Sequence, residues 1–216
     1  MKFLAFDLDG TLCNTLPDIT ASLNRVLAAE GLASHDEAEG SRMVGRSIAW
    51  LLQNALPQAD AEMRERLGAA YYADYSRNFA VDTYIYPGLL TVLEQLKAKG
   101  HKLAVVTNKP HAHAVRLIEK FFPRHGELFC QVLGQGSRFP TKPAPDMLRY
   151  VLNMQGVAAD NAVYVGDSDV DLAFARNAGV PCLACGWGFI GESGLTALGA
   201  EHIMREPSDL LRFLGE

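Results

Sequence analysis

The chain has 216 residues, 49% of them apolar and 21% charged, with 25 acidic against 20 basic side chains and a net charge of −5. At about 150 residues per domain this is one core and an insertion, and no apolar run approaches the ~20 residues that a membrane span needs. An acidic total without a basic block argues against nucleic acid as the main partner, while four scattered cysteines and an N-terminus without a leader pattern point to reduced, mostly buried thiols and a cytoplasmic protein.

The first element is the apolar run Lys2-Phe3-Leu4-Ala5-Phe6, which breaks into Asp7-Leu8-Asp9-Gly10-Thr11. It reads as a buried strand that delivers two carboxylates at its carboxyl end, where open α/β sheets hold their ligands. Residues 14–82 then leave any strand and helix alternation and predict four helices, over 17–30, 34–43, 47–55 and 61–79. They form an all-helical insertion, with 1–13 and 83–216 making the core. Placed directly after the first strand, the insertion is expected to sit over the strand ends. Tyr71, Tyr72 and Tyr75 at near-helical spacing read as its packing stripe.

Alternation resumes with a helix over 89–99 that stops at Gly100, a strand over 103–107 running into Asn108, and a helix over 112–122. A strand over 162–166 leads into Asp167, a helix over 172–178 ends at Gly179 with Pro181 beyond it, and a last strand covers 180–185. Strands alternating with helices of this length predict an α/β core, a doubly wound parallel sheet of Rossmann-like type.

Taken alone, Asp7-x-Asp9-Gly10 fits a turn or a helix cap equally well. A second acidic strand end, Gly166-Asp167-Ser168-Asp169-Val170-Asp171, changes the reading. Asp7, Asp9 and Asp167 at neighbouring strand ends repel one another, which is tolerable only around a cation or a shared proton. Hard oxygen ligands suit Mg²⁺, which takes one or two carboxylates together with substrate phosphate. A small phosphorylated metabolite is therefore the expected substrate.

Four segments in order, Phe6-Asp7-Leu8-Asp9-Gly10-Thr11-Leu12, Val105-Val106-Thr107-Asn108-Lys109, Lys142-Pro143-Ala144-Pro145-Asp146 and Val165-Gly166-Asp167-Ser168 through Asp171, resemble the motifs of the haloacid dehalogenase-type phosphohydrolases with an α-helical cap. The resemblance covers nearly the whole chain and is strongest to the phosphoglycolate phosphatase branch. It implies that Asp7 is a nucleophile forming an aspartyl-phosphate, and that Asp9 protonates the leaving oxygen and then deprotonates the hydrolytic water. A carboxylate is ionised at neutral pH without an activating base, whereas Asp9 needs anionic neighbours to keep a proton. The resemblance also implies that the Thr107 hydroxyl and the Asn108 N–H hold phosphate oxygens, and that Lys142 neutralises the phosphate and the nucleophile. Asp7, the Asp9 carbonyl and Asp167 are implied Mg²⁺ ligands, with Asp171 acting through a water or holding Lys142. Gly10 lets the backbone turn near the phosphate, and Thr11 is available to Asp9 or a phosphate oxygen.

An acid at position 9 favours hydrolysis over dehalogenation. Sugar phosphomutases of the β-phosphoglucomutase type keep both aspartates, so they remain an alternative, as do other small-molecule phosphatases acting on nucleotides or pyrophosphate and a non-catalytic phosphate-binding module. The wording of the second and fourth segments favours phosphoglycolate as substrate, for a monomer or homodimer. Asn14 departs from the branch, which often has an aspartate there; the change bears on substrate detail more than on chemistry. In the cap, the Gly45-Arg46-Ser47 loop offers Arg46 as the group that binds a substrate carboxylate. Cys182-x-x-Cys185 reads as buried thiols, His111-x-His113 as no metal site, Gly186-Trp187-Gly188-Phe189 as a packing loop, and Asp169 as a helix-dipole acid.

Overall fold

A computed structural model describes residues 1–122, 124–136 and 139–215, apart from the His125 side chain. In chain order its elements are β1 (Phe3–Phe6), β2 (Cys13–Asn14), α1 (Leu16–Ala29), α2 (Glu37–Ser41), α3 (Ile48–Ala55), α4 (Ala61–Asn78), β3 (Tyr84–Ile85), α5 (Leu89–Ala98), β4 (Lys102–Pro110), α6 (His111–Phe121) and α7 (His125–Leu128). They continue with β5 (Phe129–Gln135), α8 (Asp146–Gln155), β6 (Ala162–Gly166), α9 (Asp169–Ala178), β7 (Cys182–Cys185), α10 (Gly191–Ala197), β8 (Ile203–Met204) and α11 (Asp209–Leu214). Among the described residues the sheet runs β5-β4-β1-β6-β7-β8, with every neighbouring pair parallel.

β1 is buried along its whole length because it feeds two cores at once. Leu4 and Phe6 pack on one face with Leu93 and Leu117 of α5 and α6. Phe3 and Ala5 pack on the other with Val151 and Phe174 of α8 and α9. From β1 the chain passes to β4 and β5 on one side, then returns to β6 on the other. That reversal leaves a crevice at the carboxyl ends of β1, β4 and β6, the place where doubly wound sheets take their ligands.

The expected helical insertion leaves and re-enters through a short antiparallel ribbon, with Cys13 paired to Ile85 and Asn14 to Tyr84. Asn14 does two jobs there: its Oδ1 accepts the Leu16 N–H (3.2 Å) at the start of α1, and its Nδ2 donates to the Tyr84 hydroxyl (3.0 Å). Asp18, buried in α1, accepts from the N–H groups of Val81, Asp82 and Thr83, so the exit and return of the chain are tied together. α1 packs on α2 and α4, and α3 on α4. The second helix begins at Glu37 rather than at 34, because Asp36 caps it: its carboxylate accepts from the Glu39 N–H, and the Glu39 side chain accepts from the Asp36 N–H. Tyr71 and Tyr75 stack inside the helical layer at 5.8 Å, while Tyr72 lies at its edge, 40% exposed.

β5 and β8 extend the sheet beyond the strands expected from the sequence. Cys13 and Cys185 are buried and Cys182 half-buried as free thiols, but Cys130, on the edge strand β5, is exposed. Among the described residues no helix is long and apolar enough to cross a membrane.

Candidate active site

Asp7 follows β1 directly, held by its N–H bond to the Val165 carbonyl of β6 (2.9 Å). Gly10 turns the chain at φ +80°, and the N–H groups of Leu12 and Cys13 fold back onto the Leu8 carbonyl (3.0 Å each). Thr107 lies toward the end of β4 and Asp167 follows β6, so the predicted residues converge on the crevice.

Lys142 is the hub. Its Nζ lies 2.7 Å from Asp171 Oδ1, 2.9 Å from Asp7 Oδ1 and 3.0 Å from the Tyr164 hydroxyl, which in turn donates to the Val106 carbonyl (2.8 Å). Burial alone would lower the lysine's pKa, but the carboxylates of Asp171 and Asp7 outweigh it and raise it. The loop that carries Lys142 is fixed by Asn108, whose Oδ1 accepts the Lys142 N–H (2.7 Å) and whose Nδ2 donates to the Lys142 carbonyl (3.2 Å). Asp171 caps α9 together with Ser168: its Oδ2 accepts from the Ser168 hydroxyl (2.6 Å) and from the N–H groups of Asp167 and Ser168 (3.1 Å each). Its carboxylate is thus spent within the protein, on Lys142 and the helix start.

Asp167 is aimed by two donors, the Phe189 N–H (2.9 Å) and the Thr11 hydroxyl (3.0 Å). Thr11 therefore serves Asp167, not Asp9, and its side chain is buried. Three glycines press on this pair of aspartates. A Cβ on Gly10 would come within 2.2 Å of Asp167 Oδ2, one on Gly188 within 2.2 Å of Asp167 Cβ, and one on Gly166 within 2.4 Å of Asp171 Cγ.

Asp7, Asp167 and Asp171 each offer a carboxylate oxygen within 4.8 Å of one another. The one ammonium among them is paired with Asp7 and Asp171, so the three carboxylates when ionised carry two negative charges more than it offsets. Asp7 Oδ1 is buried and, despite the nearby ammonium, receives no aligned hydrogen bond. Burial raises the Asp7 pKa to about 6 against the pull of Lys142, and burial with the charges of Asp171 and Asp7 raises that of Asp167 well above the ordinary carboxylate range. A buried excess of two negative charges on hard oxygen donors, one of them orphaned, fits a divalent cation.

Asp9 does not face the anionic neighbours expected to keep a proton on it; its charged partner is a cation. Its two oxygens accept from Lys109 Nζ (2.8 and 3.1 Å), and Oδ1 also accepts from the Thr15 hydroxyl (2.7 Å). Neither Lys109 nor Thr15 was singled out from the sequence. The available signal was position: Lys109 follows Thr107-Asn108 directly, and Thr15 opens the insertion. Lys109 is nearly sealed from solvent, its side chain 3% exposed, with Nζ 4.6 Å above the Tyr75 ring.

Asp7 and Asp9 line a cavity between the sheet ends and the helices, walled by Thr107, Asn108, Lys109, Tyr71, Tyr75 and the Gly45-Arg46-Ser47 loop. A second cavity shares Asp7, Asp9, Gly45 and Arg46 with the first and reaches Arg42, Asp167 and Asp169. Arg46 walls both, but its guanidinium is bound to Asp169 (2.6 Å) and lies 4.8 Å over the Trp50 ring. Asn108 Nδ2 also donates to the Gly45 carbonyl (3.3 Å), joining the loop to the sheet. Trp187 Nε1 donates to the Thr11 carbonyl (3.2 Å), so the Gly186–Phe189 loop packs as expected and also supports Asp167. His111 and His113 point apart: the first accepts from the Gly134 N–H (3.3 Å), while the second is buried against Tyr75 and bonded to Ser76 (2.7 Å).

With this geometry in place, comparison with known proteins is specific. The family model of the haloacid dehalogenase-like hydrolases matches residues 4–185. The phosphoglycolate phosphatase of Rhodospirillum rubrum is 36% identical, over 99% of this chain and 91% of its own length. The plasmid-borne phosphoglycolate phosphatase of Cupriavidus necator is 35% identical, over 92% of this chain and 86% of its own. Among solved structures, a provisionally assigned phosphoglycolate phosphatase from Lactobacillus delbrueckii subsp. bulgaricus superposes with a TM-score of 0.93 at 29% identity, each chain covered completely.

Proposed function

The chain belongs to the haloacid dehalogenase-like hydrolase family, and from that premise we propose that it is a metal-dependent phosphoglycolate phosphatase that works through an aspartyl-phosphate on Asp7. The observation that carries the reading is the separation of the two aspartates. Asp7 sits among carboxylates with its Oδ1 2.9 Å from the Lys142 ammonium, and Asp9 is held by Lys109 and Thr15.

In this reading an Asp7 oxygen attacks phosphorus while the bond to the leaving oxygen breaks, and Asp9 gives that oxygen its proton. Water then attacks phosphorus, Asp9 takes the water's proton, and the bond between Asp7 and phosphorus breaks to release phosphate. Lys142 holds Asp7 in place and offsets the charge gathered around the phosphoryl group. The Thr107 hydroxyl and the Asn108 N–H bind phosphoryl oxygens, while the Asn108 side chain keeps Lys142 in register. Gly10 lets the backbone pass close to Asp167. Mg²⁺ is the proposed cation, held by Asp7, the Asp9 carbonyl and Asp167; bound there it would supply charge neutralisation to the phosphate. Asp171 acts by holding Lys142. Arg46 belongs to the cap side of the same cavity, within reach of a substrate, although Asp169 occupies it here.

Residues 14–82 are proposed to be the cap domain and 1–13 with 83–216 the catalytic core, the chain crossing between them at the β2 and β3 ribbon. A small dissolved anion as substrate and free thiols fit action in the cytoplasm. The test is phosphate release from a panel of phosphorylated metabolites, with and without Mg²⁺. Phosphoglycolate as the best substrate, silent without the cation, is the expected result. Interconversion of sugar phosphates with little free phosphate would overturn the reading in favour of a mutase.

A further inference from the structure

The proposed substrate carries a second anion, its carboxylate, and the cavity must answer it with a cation. Among the described residues that wall this cavity, Arg46 and Lys109 carry fixed positive charge, and Arg42 does in the adjoining cavity that also reaches Asp7 and Asp9 but not Thr107 or Asn108. Arg46 and Lys109 are both ion-paired, but Arg46 meets Asp169 at the exposed rim, its side chain 37% exposed, whereas Lys109 is held inside at 3%. His113 is no substitute, because burial and the nearby Lys109 and Arg116 charges lower it to about 4 and leave it neutral. Lys142 is committed to Asp7 and Asp171.

We propose that Lys109, seated between Asp9 and the Tyr75 ring, anchors the substrate carboxylate and so selects phosphate esters of short hydroxy acids. The inference rests on the phosphoglycolate reading above and deepens it. An ammonium carries three N–H donors. Asp9 receives two hydrogen bonds from Lys109, one on each oxygen, and no further acceptor engages that ammonium among the described residues. Asp9 keeps the Thr15 hydroxyl as well, so Lys109 can serve a second carboxylate without leaving the first bare.

Placement supports the same assignment. The Lys109 N–H donates to the Thr107 hydroxyl oxygen (3.2 Å), which sets the lysine beside the residue proposed to hold the phosphoryl group. In phosphoglycolate three bonds separate phosphorus from the carboxyl carbon, as three bonds separate successive Cα atoms, about 3.8 Å apart. The carboxylate of a substrate whose phosphoryl group sits at Thr107 can therefore reach the next side chains of β4 that wall the cavity. The Tyr75 hydroxyl, in the wall of the same cavity, is buried without a partner. It is a spare donor on the ring against which Lys109 rests.

The test compares kcat/KM for phosphoglycolate with kcat/KM for ethyl phosphate, which has the same chain length and no carboxylate, in the wild type, Lys109→Met, Lys109→Gln and Lys109→Arg. Loss through Asp9 lowers both substrates together and cancels in the ratio. Removal of the charge is expected to cut the ratio by roughly 30-fold or more, as for a buried charge pair losing one partner, with the change in KM, and Lys109→Arg is expected to restore most of it. Lys109→Gln keeps a polar contact to Asp9 and decides the matter if Lys109→Met does not fold. A wild-type preference for phosphoglycolate that survives both uncharged variants overturns the inference alone. No wild-type preference for the carboxylate-bearing ester overturns the substrate reading itself.

Discussion

Gly188→Ala isolates how tightly the site is held. Gly188 has no positive φ, so alanine adds no backbone strain, and the whole perturbation is one methyl group. Its carbon would lie 2.2 Å from Asp167 Cβ and 2.6 Å from Oδ2, whereas ordinary contact begins at 3.4 Å. Parting the two carbons from 2.2 to 3.4 Å requires a shift of about 1.2 Å, shared between the loop and Asp167. The loop cannot yield freely, because the next residue's N–H bonds Asp167 Oδ2 (2.9 Å) and Trp187 is tied to the Thr11 carbonyl. Overpacking of this kind costs about 1–3 kcal/mol in stability, and a displacement near 1 Å at a reacting centre costs about 100-fold in rate, or roughly 2.7 kcal/mol. The expected result is a folded protein with kcat/KM lowered about 100-fold and a divalent-cation requirement shifted upward by about 10-fold or more. The assays are phosphate release against Mg²⁺ concentration and thermal melting, with Gly126→Ala, whose added carbon would meet nothing within 4 Å, as the control. A Gly188→Ala protein within threefold of wild type in both rate and cation requirement would refute the close confinement of Asp167.

Asp7→Asn should abolish phosphate release, by on the order of 10⁴-fold or more, and should also change how the cation-free protein responds to pH. The folded pKa of Asp7 is raised from 3.8 to about 6, so between those values the folded chain holds a proton that the unfolded chain has lost. Stability should therefore fall as pH rises through that window, by up to roughly 3 kcal/mol from this group. In EDTA, wild type should melt higher at pH 5 than at pH 7 by a margin that Asp7→Asn loses; equal margins would show that Asp7 is not a strained carboxylate. Saturating Mg²⁺ should raise the melting temperature of the EDTA-treated wild type and leave Asp167→Asn almost unmoved, since a ligand at 100 times its Kd adds about 2.7 kcal/mol to the form that binds it. Equal gains in both proteins would place the cation elsewhere. Arg46→Ala removes a half-exposed pair with Asp169 that is worth about 0–1 kcal/mol; kcat/KM for phosphoglycolate and for p-nitrophenyl phosphate should drop by the same small factor, and a selective loss on phosphoglycolate would assign the carboxylate to Arg46.

The residues legible in the sequence are those whose position on the chain already states their place in space. Asp7, Thr107 and Asp167 each close an apolar run, and in a parallel sheet such ends meet along one edge, so their convergence follows from the strand pattern alone. Lys142 and Asp171 were legible through motif resemblance, and the structure gives the physical reason: one buried ammonium between the carboxylate that follows β1 and one in the first turn of α9. What stayed hidden were partners chosen across the fold. Lys109 finds Asp9 across 100 positions and Trp187 finds the Thr11 carbonyl across 176, and no local pattern carries that information. Tyr164 reads as one more buried aromatic of β6, yet its hydroxyl is part of the Lys142 network. Thr11 looked available to the substrate because its neighbours are, while its side chain turns inward to Asp167. β5 was invisible for a different reason: Cys130 and Gln131 interrupt its apolar run at the sheet edge, where one side of a strand needs no burial.

The two aspartates of the first motif differ by two positions, and chemistry asks opposite things of them, ionisation of one and a proton on the other. The fold separates them by assigning each its own lysine. Asp7 faces Lys142 in the company of Asp167 and Asp171, where the excess of negative charge calls for a cation. Asp9 faces Lys109, a neutralised pair at the wall where the substrate's far end must lie. Both lysines favour ionised carboxylates, so the proton that Asp9 must deliver is not supplied by its resting partners. The same separation bears on how a chain of net charge −5 admits an anionic substrate: Asp7, Asp167 and Asp171 gather where a cation can offset them, and Lys109 lies in the wall of the adjoining cavity. Local field rather than total charge governs the entry of an anion.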